Sequence, residues 1–345
     1  MQKNLSYTQK FSPFYIETKQ LVEEYFTKNN LSKTGGNKLF LRVSCIFTVT
    51  AAVFILNLTL IHTLWLNLIF SLISGVLIGV ITAHAHESVH MILAPQKWKN
   101  RLLTHFIDFM GACSLAYITN HSKHHNFTNI EGGDTDLDFE PFIRLTKNQK
   151  WHWWHRFQHI YTPFLYSLSS LFLVWDARGF DLFKDRKFSE KLVFWGVKLL
   201  HVLIFIITPI FFLDLLNGFL CYLMLMFGTG LYLGMLNEPV HLFKETSFVE
   251  YDPLTNKISH TWDEVMLKSS ANFSVNNRFL TAFSAGLNYH LVHSLFPKIS
   301  YIHYPAINNI IKANAVKHEL NYIEFPSYFT ILKSHLVHLK AMGQK

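Results

Sequence analysis

Asn120-His121-Ser122-Lys123-His124-His125-Asn126 decides how this chain is read. Histidines at i, i+3 and i+4 share one face of a helix, so a single surface offers three imidazoles. Packing gives no reason for that. The chain has 20 histidines in 345 residues. At that frequency chance supplies about one His-x-x-x-His pair but only about 0.07 of a His-x-x-His-His triplet. Working outward, His86 and His90 form such a pair upstream, and His290 and His293 form an i, i+3 pair far downstream. His241 stands alone just after a long apolar stretch. Imidazole is the commonest metal ligand among side chains and suits iron, zinc and copper.

The medium around these histidines is legible too. Half of the residues are hydrophobic and 16% are charged, against about 25% charged in a soluble domain. Lys and Arg are absent from 43–96 and from 199–243, and each window has room for two spans of about 20 residues. The expected spans are 43–61, 64–83, 195–213 and 219–236. Tight connectors at His62–Thr63 and around Asp214–Asn217 turn them into two hairpins. Both connectors lack Lys and Arg, whereas every long polar segment is basic. The positive-inside rule therefore predicts both termini and the histidine-bearing segments on the cytoplasmic side. The net charge of +8 is this topological bias, so no nucleic-acid partner is expected.

The predicted fold class is an all-α integral membrane protein: four transmembrane helices in two hairpins, with a cytoplasmic helical cap carrying the histidines. Residues 1–42 read as a cytoplasmic N-terminal segment with no signal peptide, too short for a fused electron-transfer domain. Residues 43–345 form the membrane domain. Cys45, Cys113 and Cys221 lack metal or redox spacing and read as buried small hydrophobes.

Other features fall into place along the chain. His84 points away from the His86–His90 face and reads as structural. Residues 101–119 are apolar but carry His105 and Asp108, so they are expected to lie in the interface or re-enter shallowly. Asp134 and Asp136 sit in a turn-rich acidic loop after the triplet, where they can hydrogen-bond the outer nitrogens of ligand histidines. His152, His155 and His159 have spacing that ligands could have, but Trp and Arg crowd them, and they read as part of an aromatic, basic interfacial belt.

The whole constellation resembles the membrane fatty acid desaturase family, in its acyl-lipid and acyl-CoA, front-end-like branch. His86-Glu87-Ser88-Val89-His90 is similar to the first histidine box, and His121 to His125 with the continuation to Asp136 is similar to the second. His241 resembles the isolated ligand between boxes two and three. Gly286 to Pro297 is similar to the third box, with His303-Tyr304-Pro305 following. The resemblance implies two iron ions held by His86, His90, His121, His124, His125, His241, His290 and His293. Glu87, Asp134, Asp136, Asn288 and Ser294 are then the residues expected behind those ligands. One departure stands out: the third box normally ends in two adjacent histidines, and here the second is Ser294.

The implied activity is O2-dependent fatty acyl desaturation with two externally supplied electrons. The implied partners are an acyl substrate (acyl-CoA, acyl carrier protein or acyl lipid), membrane lipid, and a ferredoxin or b-type cytochrome. A hydroxylase on the same scaffold is the alternative. His86-Glu87-x-x-His90 also fits the zinc metalloprotease pattern, with Glu87 as general base. A non-enzymatic membrane receptor with a structural metal is a third class.

Overall fold

The computed structural model describes residues 4–174, 181–182 and 186–345. Its regular structure is mostly helical. Among the described residues four helices are long and apolar enough to cross a membrane: α2 (Gly36–Thr59), α3 (Leu64–Val89), α7 (Phe188–Leu213) and α8 (Leu215–Asn237). Shorter helices fill in the rest. In chain order they are α1 (Pro13–Lys28), α4 (Lys97–Phe109), α5 (Ser114–Phe127), α6 (Gln158–Val174), α9 (Trp262–Ser269), α10 (Arg278–Phe283), α11 (His290–Leu295), α12 (Tyr304–Lys317) and α13 (Tyr328–Met342). Strands among the described residues amount to two parallel pairs of two residues each. They are β1 (Ser6–Tyr7) with β2 (Lys257–Ile258), and β3 (Asn272–Phe273) with β4 (Glu324–Phe325).

The chain forms two compact units. One comprises the segment up to Thr34, Thr119–Thr162 and Leu236–Lys345; the other comprises Gly35–Ile118 and Pro163–Met235.

The second unit holds the long apolar helices. Phe47 and Ile55 of α2 and Phe211 of α7 are exposed, the last at 83%, as side chains meant for lipid are. Polar groups are turned inward and paired. Asn57 and Asn67 exchange side-chain bonds at 2.9–3.2 Å across the α2–α3 connection, and Asn57 also reaches Ser71 Oγ. Interhelical hydrogen bonds and small residues hold helices together where no water drives apolar surfaces together. Gly75 on α3 shows the second device. A Cβ there would lie 2.0 Å from the Leu225 carbonyl oxygen of α8, and Thr229 Oγ1 donates to the Gly75 carbonyl at 3.0 Å. Helix α6 has the same inverted pattern: Ser167 and Ser170 are buried, while Phe164 and Phe172 are exposed.

Several boundaries differ from the sequence expectation. α2 starts at Gly36, seven residues earlier, and takes in Lys38 and Arg42. α3 continues to Val89, so His86 is inside the helix and His90 caps it. α7 starts at Phe188, because a charged first turn can snorkel out of the apolar layer. Between α7 and α8 only Asp214 breaks the helix, at φ 85°. Cys45, expected buried, is exposed on α2, whereas Cys113 and Cys221 are buried as expected.

The 101–119 stretch is two helices, α4 and α5, bent by 104°. The bend contains Gly111 at φ 91°, a conformation that favours glycine. Asp108 secures the far side of it, accepting from Ser114 N at 2.7 Å and Ser114 Oγ at 2.8 Å. This explains the two polar residues in that apolar run: Asp108 caps the start of the histidine helix, and His105 bonds Asp108 at 2.9 Å.

In the first unit, α1 packs on α12. Asn314 Nδ2 donates to Thr18 Oγ1 at 2.8 Å in that contact, and Phe14, Val22 and Phe26 form the buried face of α1.

Candidate metal centre

Helical spacing puts the triplet where it is useful. His121 and His125 are one turn apart on α5, with Nε2 atoms 3.0 Å apart. His293 comes in from α11 with its Nε2 3.1 Å from that of His125. His124, rotated to the neighbouring face, meets His241 at 3.1 Å between Nε2 atoms. The ring of His290 lies 4.4 Å from that of His241, centroid to centroid. The first unit therefore contains two groups of three imidazoles, and in each the ligand atoms lie within 4.8 Å of one another. In the second unit His86 and His90 make a pair of their own, Nε2 to Nε2, at 3.3 Å.

These distances test whether a metal fits. A metal–imidazole bond is about 2.0–2.1 Å. Two nitrogens on one ion, at roughly 90–110°, then lie about 2.9–3.4 Å apart. Every Nε2–Nε2 distance above falls inside that interval. Tautomers give the second test. His241 Nδ1 donates to the Ser269 carbonyl at 2.8 Å, and His124 Nδ1 donates to the Asp134 carboxylate at 3.0 and 3.1 Å. In neutral imidazoles both Nε2 atoms then carry lone pairs. Two lone pairs facing each other need a cation between them. A proton can serve one such pair; a divalent ion serves all three rings.

The supporting residues are arranged to hold the rings. Asp134 is buried and also accepts from Asn129 N at 2.9 Å and Asp136 N at 3.0 Å. Burial alone would raise its pKa. The His124 imidazole and these two N–H groups outweigh it and hold the carboxyl below its ordinary value. Asp136 is nearer the surface, with Oδ2 3.3 Å from His124 Nδ1. Asn129 Nδ2 donates to the His241 carbonyl at 2.9 Å, tying the isolated histidine to the loop after the triplet.

The other residues singled out from sequence divide. Ser294 is buried; its hydroxyl donates to the His290 carbonyl at 3.0 Å and lies 3.2 Å from Ser270 Oγ, itself 3.4 Å from His241 Nδ1. Asn288 bonds Ser274 O and Thr281 Oγ1 instead of a histidine. Glu87 is buried at the end of α3. His84 bonds the Val80 carbonyl one turn back, as its structural reading requires. His155 bonds His152 N and the Pro141 carbonyl, which makes it a loop fastener.

Some useful residues carried no sequence signal. The Tyr304 hydroxyl is 3.1 Å from His293 Nδ1, a role visible only as the Tyr of His303-Tyr304-Pro305. His335 Nδ1 donates to the Leu242 carbonyl at 2.6 Å, next to His241, and His338 Nε2 donates to the Leu145 carbonyl at 3.1 Å. Burial pushes both imidazoles down from about 6.5 to about 4.

Comparison with known proteins adds the decisive observation: the fatty acid desaturase family model matches residues 63–326. The chain belongs to the fatty acid desaturase family. It is similar to an acyl-lipid (8-3)-desaturase of Mortierella alpina, 27% identical, covering 96% of this chain and 78% of the relative. It is also similar to an acyl-lipid (8-3)-desaturase of Physcomitrium patens at 26% identity, covering 96% and 72%. An sn-1 linoleoyl-lipid 6-desaturase of Synechocystis is 26% identical, covering 99% and 98%. This desaturase is thus an oxidoreductase acting on fatty acyl chains, and its four long apolar helices suit an integral membrane enzyme. The Glu87 metalloprotease and receptor readings fall away with that membership.

Proposed function

We propose that this desaturase introduces a C=C bond into the acyl chain of a membrane lipid, using O2 and two electrons from an external ferredoxin or b-type cytochrome. Two hydrogens leave adjacent methylenes, and O2 with two electrons and two protons becomes two waters. The observation that carries the reading is the set of Nε2–Nε2 distances, 3.0–3.3 Å, within a chain of this family. The acyl-lipid substrate is favoured over acyl-CoA or acyl carrier protein by the printed activities of the relatives.

Two iron ions, held by His86, His90, His121, His124, His125, His241, His290 and His293, would supply the oxidant that an unactivated C–H bond demands. The chain's own part is positioning. Asp134 and the Ser269 carbonyl fix the tautomers of His124 and His241, which turns their Nε2 atoms toward the ion. Ser294 offers no imidazole and is engaged with the His290 carbonyl, so the His124–His241–His290 group would hold its ion through three imidazoles. Asn57–Asn67 bonding supports an α2–α3 hairpin, and the absence of Lys and Arg from both connectors supports both termini and the histidines on the cytoplasmic side. Residues 1–42 then precede a membrane domain of 43–345.

The test is a fatty-acid profile by gas chromatography–mass spectrometry. A host expressing the wild type is compared with one expressing His124→Ala. A new unsaturated species lost in the variant is expected, mainly in the glycerolipid fraction. A product gaining one oxygen instead of losing two hydrogens would overturn desaturation in favour of hydroxylation. No product, with expression and donor confirmed, would overturn the acyl-lipid substrate.

A further inference from the structure

A helix leaves its last four carbonyls without partners inside the helix, and α5 ends right where His124 and His125 sit. All four of its last carbonyls are accounted for. The His124 carbonyl accepts from Thr128 Oγ1 at 2.7 Å, and the Phe127 carbonyl accepts from Ile130 N at 3.0 Å. These two partners are local. The other two come from far away in sequence: Trp262 Nε1 donates to the His125 carbonyl at 2.8 Å, and Tyr7 Oη donates to the Asn126 carbonyl at 2.6 Å. The second histidine helix is treated alike. Tyr15 Oη donates to the Leu295 carbonyl at the end of α11, at 3.3 Å.

These donors are themselves anchored as one body. β1 pairs with β2, and Trp262 N donates to the Lys10 carbonyl at 3.1 Å. Ser12 donates through N and Oγ to Asp263 at 3.0 and 2.5 Å. The Tyr15 ring packs edge-on to Trp262 at 5.3 Å and stacks on Phe296 at 5.7 Å. Tyr7 stacks near Phe127, with planes 10° apart.

We infer that Tyr7, Tyr15 and Trp262 form an aromatic clamp that positions the two histidine-bearing helix ends. They act through backbone carbonyls, so they are positioning residues and touch neither substrate nor metal. Their work is to stop the last turn of α5 from fraying. Rotation of that turn would move His124 and His125 together and open the spacing of both imidazole groups at once. One side of the clamp is the N-terminal segment, which gives the stretch around Tyr7 to Tyr15 a task at the metal centre.

This inference rests on the metal-holding role proposed above, and one experiment separates the two. The purified full-length chain is loaded with Co2+ alone. The readouts are metal stoichiometry, the visible ligand-field spectrum, the rate of metal loss to a chelator, and the melting temperature. The variants are Trp262→Phe, Tyr7→Phe and the double variant, which remove the donors and leave an aromatic ring at each position. The expected result is metal loss about 10-fold faster for Trp262→Phe, in line with the lower end of effects for groups behind metal ligands. The double variant should lose metal faster still, with a changed spectrum. Unchanged loss rates and spectra would overturn the clamp, as would a fall in melting temperature without either change. A wild type that takes up no metal would overturn the metal-holding reading itself.

Discussion

The two imidazole groups of the first unit are equal in size and unequal in support. His124, His241 and His290 are all buried, and a carboxylate stands behind one of them. His121 is half-buried, and His293 has the neutral Tyr304 phenol behind it. A carboxylate both fixes a tautomer and raises the basicity of the ring it holds; a phenol does mainly the first. The fully buried group therefore has the stronger backing. What the difference teaches is that the group beside Ser294 is the one with a carboxylate behind it.

The largest expected effect comes from removing a ligand from the better-backed group. His241→Ala or His124→Ala should lower product yield by at least about 100-fold and take the bound metal down, measured as metal per chain by elemental analysis. Equal loss from His293→Ala would erase the proposed inequality. Next comes the backing itself. Asp134→Asn should weaken metal retention about 10- to 100-fold, and Tyr304→Phe by clearly less, both read as chelator release rates; the reverse order would break the comparison. Ser294→His should slow metal release from the His124 group by a few fold, whereas Ser294→Ala should leave it nearly unchanged. A histidine that speeds release would show that the site cannot accept a fourth ring.

The smallest effect is on stability against acid. His335 and His338 are held near 4 when folded, against about 6.5 when free. The unfolded chain therefore binds more protons below about 6.5, and stability falls as pH drops from there to about 4. Melting curves across that window should show the slope, and His335→Gln with His338→Gln should flatten it.

Much of this was written in the local pattern. The triplet, the His86–His90 pair and the third box are periodic, so a helix converts their spacing directly into convergence. The charge-free windows gave the four long helices for the same reason. The ends of those helices were less legible. Lys38 and Arg42 look like a stop, yet long cationic side chains can reach past an apolar layer while the backbone remains helical. The bend at Gly111 was hidden in a run that looks continuously apolar. Tyr7, Tyr15, Trp262 and His335 could not be found from sequence, because each acts through a single bond across about a hundred residues or more. No periodicity marks such a bond.

The asparagines at the tip of α2 and α3 carry a consequence for how the enzyme is made. A lone amide entering hydrocarbon is penalised, but Asn57 and Asn67 satisfy one another. Neither helix is well suited to leave the insertion machinery by itself. The two should partition into the bilayer as a single package, with the first held back until the second has been synthesised.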